Sequence, residues 1–151
     1  MNWFNYIGLA IIAIIMVPNI IFAIKRNDKF KNLYTNKIVE VLEQIGRFGC
    51  LAFMIFNIPY TYFNFWFKHA LWVYIGVNGG LCLVYIISWI AFKDLASIGR
   101  ALALSITPSL IFLFSGIMLA NIPLIVFAVI FSINHILLSY KNTKKRIRII
   151  D

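Results

Sequence analysis

Apolar residues fill five long runs in this chain, and polar residues gather between them. A helix needs about 20 mostly apolar residues to cross the hydrocarbon of a bilayer. The runs at about 3–24, 38–59, 70–92, 97–119 and 121–140 meet that length and predict five membrane-spanning helices. Pro18 and Asn19 interrupt the first run near its end. A kink is expected there, with Asn19 bonded to a carbonyl that the proline frees. Pro108 predicts a bend in the fourth run. Ala120, Asn121 and Ile122 form a tight turn, with Pro123 suited to the start of the next helix. Helices four and five are then antiparallel neighbours. Gly76 and Gly80 have small-xxx-small spacing, which predicts close packing against another helix. The segment from Asn57 to His69 carries Tyr60, Tyr62, Phe63, Phe65, Trp66 and Phe67, and is expected on the membrane surface.

Composition supports the runs. The 151 residues are 62% hydrophobic and 13% charged, against about 25% charged in soluble domains. The expected fold is therefore all-α, a single polytopic membrane bundle over 1–151 with no soluble domain. The amino terminus has no positive n-region, so the first run reads as a retained span and not a signal peptide. Cys50 and Cys82 both fall inside spans, without metal spacing, and read as small packing residues.

A net charge of +9 would suggest nucleic acid in a soluble protein. Here the cations cluster between apolar runs, so they set orientation and give no nucleic-acid partner. The first and third connections and the carboxy-terminal tail hold five, two and five lysines and arginines. The opposite side holds Lys68 alone, and Arg47 lies inside the second span. This predicts the amino terminus outside and the carboxy terminus in the cytoplasm. The Lys-, Asn-, Ile- and Phe-rich composition is associated with AT-rich bacterial genomes, so the expected location is the bacterial cytoplasmic membrane. Anionic lipid is an expected partner of the basic loops.

The candidate chemistry lies at the basic end of the second helix. Glu40, Glu43, Gln44 and Arg47 are spaced i, i+3, i+4, i+7, which puts them on one helix face. Hydrocarbon cannot satisfy such a stripe, so it must face protein, water or head groups. Glu43 and Arg47 are placed for an intrahelical ion pair. Arg100, Asn19, Asn134 and His135 fall at the same depth on three other helices. Together these residues predict a polar, cytoplasm-facing pocket for a small anionic or amphiphilic ligand, with the arginines and His135 suited to an anion. Asn78, nearer the other side, stands apart as a lone polar group.

No H-x-x-H or H-E-x-x-H pattern supports a metal site. No Gly-rich phosphate loop and no nucleophile with an identifiable base are present, and no cofactor is indicated. Binding or transport is the leading expectation, with a homo-oligomer or a membrane partner needed for a carrier. The alternatives are a membrane-embedded lipid-modifying enzyme, with His135 or Glu43 as general acid–base, and a structural or regulatory subunit of a membrane complex. The sequence leaves open whether the chain is an enzyme.

Overall fold

The structure is a computed structural model and describes residues 3–25, 32–61 and 65–150. Arg26, Asp28, Lys29 and Lys31 of the first basic connection lie outside these residues, as do Tyr62 and Phe63 of the aromatic loop. The described chain is all-helical: α1 (Tyr6–Lys25), α2 (Lys37–Ile55), α3 (Ala70–Ala91), α4 (Ile98–Met118) and α5 (Ile122–Ile150). Four of these, α1, α3, α4 and α5, are long and apolar enough to cross a membrane.

The helices alternate in direction and form a ring in the order α1, α2, α5, α4, α3, with α4 the most buried. Local chemistry sets several boundaries. Asn36 caps α2, its side-chain oxygen accepting from Ile38 N at 3.1 Å and Val39 N at 3.4 Å. Ser97 Oγ accepts from Arg100 N at the start of α4. Asn121 Oδ1 accepts from Leu124 N at 3.1 Å at the start of α5. Ala120, just before it, has φ 47°, the left-handed conformation that reverses the chain.

α5 runs ten residues beyond its expected end at Tyr140, because its apolar period gives way to solvated cations without a helix breaker. Two other expectations change in detail. Asn19 Nδ2 donates to Ile15 O at 3.0 Å, whereas the carbonyl that Pro18 leaves without its helical partner is that of Ile14. Among the described residues the Gly76/Gly80 face is not a packing seam: a Cβ added at either glycine, or at Gly79, meets nothing within 4 Å. The seams lie at other glycines. A Cβ on Gly46 would come within 2.6 Å of the Phe131 backbone nitrogen, so α2 and α5 approach there backbone to backbone. A Cβ on Gly8 would sit 2.2 Å from Met54 O, where α1 crosses the end of α2.

The end of the bundle opposite the basic tail is closed by main-chain and asparagine bonds. Asn5 N donates to Ile55 O at 2.7 Å, and Asn57 N donates to Trp3 O at 2.8 Å. Asn121 Nδ2 donates to Phe53 O at 3.1 Å, tying the start of α5 to the end of α2. Asn78 is fully buried and bonded to Ser115 across α3 and α4 at 3.2 Å. The polar residue that stood alone in the sequence therefore has a partner in this helix pair.

Candidate functional site

The close approach at Gly46 decides where Glu43 points. With α2 pressed against Phe131, the side chain one turn before Gly46 meets the side chain one turn after Phe131. Glu43 Oε1 lies 2.9 Å from His135 Nδ1, and Arg47 also bonds Glu43 Oε1. An ionised carboxylate only accepts, so this bond assigns a proton to Nδ1 and leaves Nε2 as the ring's other site. The imidazole stacks on Phe131, with ring centres 4.6 Å apart. The Glu43 side chain is 4% exposed, that of His135 22% and that of Arg47 37%. The carboxylate is thus enclosed, while both of its partners retain an open face.

Arg100 occupies a second polar group, between α1, α3 and α4. It is buried, and Nη1 donates to Phe92 O at 2.6 Å. Its guanidinium lies 4.9 Å from the Trp89 ring centre and 5.3 Å from that of Phe22. A planar, weakly hydrated guanidinium suits such stacking. Beside it, Tyr85 Oη donates to Asn19 Oδ1 at 3.1 Å. Tyr85 is itself buried, and its ring lies 6.4 Å from that of Trp89.

Glu40 and Gln44 line neither group. With Asn32, Val41, Ile45, Phe48, Gly49 and Phe127 they border an open groove of about 670 Å³ along α2. Asn32, Glu40 and Gln44 form its polar end. Phe48, Gly49 and Phe127 form its apolar end, one to two turns further along α2. Asn134 is buried, and its Nδ2 donates to Ile130 O of its own helix at 2.8 Å.

Seven of the eight predicted residues divide among three places at one end of the bundle, and the eighth, Asn134, bonds back to its own helix. Arg47 and His135 meet at Glu43. Arg100 and Asn19 meet through an aromatic cluster. Glu40 and Gln44 face the groove. Sequence reasoning missed the aromatic half of the site, Phe22, Tyr85, Trp89 and Phe131, because aromatics inside apolar runs look like lipid-facing bulk. The signal available was Arg100 itself: a buried arginine requires partners, and aromatic faces are one kind it takes. Among the described residues no three His, Cys, Asp or Glu side chains cluster.

Fold and site together define a class, a helical membrane protein with an enclosed carboxylate at its basic end. Beyond that class, comparison with known protein families, curated proteins and solved structures finds no match.

Proposed function

We propose that the chain spans the bacterial cytoplasmic membrane five times, with its basic end in the cytoplasm, and binds a small amphiphile in the groove along α2. The fifth span is α2, whose charges lower its hydropathy. Two features support it. α2 runs beside the whole apolar length of α5, from Tyr34 N donating to Asn142 Oδ1 at one end to Asn121 donating to Phe53 O at the other. Its most buried charge, Glu43, already has two partners inside the bundle. Twelve cations at one end against Lys68 at the other support the orientation.

The graded lining of the groove carries the functional reading. One carboxylate and two amides at the polar end, with no cation among the described lining residues, favour a head group that donates hydrogen bonds. Val41, Ile45, Phe48 and Phe127 suit a chain or ring lying toward the bilayer core. Among the expected ligand classes this selects an amphiphile over a small anion. The triad beside the groove keeps α2 in place against α5.

Native mass spectrometry of the purified protein tests the reading. Ile45 is 48% exposed, so Ile45→Trp fills the groove from outside the core. The expected result is one discrete bound species that disappears in Ile45→Trp and persists in Leu83→Trp, on the exposed face of α3. A wild-type protein carrying only a spread of bulk lipids would overturn it.

A second reading, a subunit that docks another membrane helix, is supported by the unoccupied face at Gly76, Gly79 and Gly80. It predicts that Gly80→Leu abolishes co-purification of a partner without lowering the stability of the chain itself.

A further inference from the structure

We infer that the face of α5 passing Tyr34 is a binding site for a phosphate group, supplied by the head group of an anionic phospholipid. Lys141, Lys144, Lys145 and Arg148 are spaced i, i+3, i+4, i+7, one face of a helix. With Tyr34 they border a cavity of about 270 Å³. A water molecule occupies roughly 30 Å³ in the liquid, so there is room for a hydrated phosphate. The described lining is four cations and a phenol, with no carboxylate.

The cradle is built and not merely a run of solvated lysines. Tyr34 is fixed by its backbone nitrogen, which donates to Asn142 Oδ1 at 2.7 Å, and Lys145 Nζ donates to Leu33 O at 3.1 Å. Lys141 Nζ and Lys145 Nζ lie 4.9 Å and 5.5 Å from the centre of the same Tyr34 ring. The ring face attracts each ammonium, but the two ammoniums repel one another. An anion placed among the four cations relieves that repulsion and takes charge-assisted hydrogen bonds from them.

Depth favours a head group over phosphate from solution. Lys141 lies 19 residues beyond Ile122 on α5, about 28 Å at 1.5 Å per residue. The hydrocarbon core is about 30 Å thick. The cradle therefore opens at the level where phospholipid phosphates lie. It shares no lining residue with the groove along α2, so either site can exist without the other.

The test is native mass spectrometry of the full chain in neutral detergent, titrated separately with phosphatidylglycerol, phosphatidylcholine and inorganic phosphate. Phosphatidylglycerol should bind saturably at one copy per chain, and phosphatidylcholine should not. Lys145→Gln with Arg148→Gln should weaken phosphatidylglycerol by about tenfold or more. Lys93→Gln, an exposed cation between α3 and α4, should leave it unchanged. Should the double variant fail to fold, Lys144→Gln reads the same site, since its ammonium rests over Tyr140 on the helix surface. Inorganic phosphate that binds alone, is lost in the cradle variants and is not displaced by phosphatidylglycerol would overturn the head-group source. Equal weakening by Lys93→Gln, or no weakening by any cradle variant, would overturn the site.

Discussion

Glu43 shows how little a residue's type says about its environment. Gln44 is its immediate neighbour on the same polar stripe, yet Gln44 is exposed and Glu43 is 3% exposed. A helical wheel places both on one face, but it cannot say which edge of that face meets α5. The difference arises at Gly46, where the missing Cβ lets the helices close. Replacing one member of a buried ionic group strands the others, although here Arg47 and His135 can each turn toward water. Glu43→Gln should therefore cost about 1–3 kcal/mol, read as a fall in unfolding free energy in mild detergent titrated with dodecyl sulfate. A second residue-scale expectation concerns Tyr34. The Asn36 amide bonded to its phenol oxygen, with Lys141 and Lys145 beside the ring, holds the phenol below its ordinary value of 10.0 against a smaller opposing effect of desolvation. A group depressed on folding adds stability above its unfolded value and loses it as pH falls through the folded one. Tyrosinate absorbance during alkaline titration should show a component below pH 10.0 that Tyr34→Phe removes.

Among elements, the glycines separate what spacing reveals from what packing decides. Gly76 and Gly80 announce themselves by their interval, and among the described residues nothing packs on them. Gly8 and Gly46 have no such interval, so no pattern marked them, and they carry the closest approaches described above. Gly46→Ala must push a methyl into the Phe131 backbone and should cost about 1–3 kcal/mol. Gly80→Ala should leave stability level or slightly raised, since alanine is the better helix former. Unfolding both variants side by side checks the contrast; a Gly80→Ala loss as large as that of Gly46→Ala would contradict it. Helix existence was legible because lipid demands long apolar runs. The end of α5 was not, because a solvated basic helix carries no apolar run.

Considered whole, the bundle has an asymmetry of which the sequence carried one half: cations at one end, with Asn5, Asn57 and Asn121 buried at the other. The level of the candidate site was legible from depth counting. Its division into triad, aromatic knot and groove was not, because that depends on which helices are neighbours, and only the α4–α5 pairing was dictated by a short turn. The proposed orientation has a direct test. Cys50 and Cys82 are both buried, so they give little background to a membrane-impermeant maleimide. Lys68→Cys should be labelled from outside intact cells, and Lys93→Cys only after the membrane is opened. The reverse pattern would invert the topology.

The Glu43–His135 contact also has a history during synthesis. Its two residues are 92 positions apart, and ribosomes add about 5–20 residues per second. For roughly 5–20 seconds after Glu43 is made, its imidazole partner does not yet exist. If α2 is the fifth span proposed above, its carboxylate has Arg47 alone as a partner within the bundle throughout that interval. A chain that stops before α5 keeps Arg47 beside Glu43 on the same helix but never gains His135.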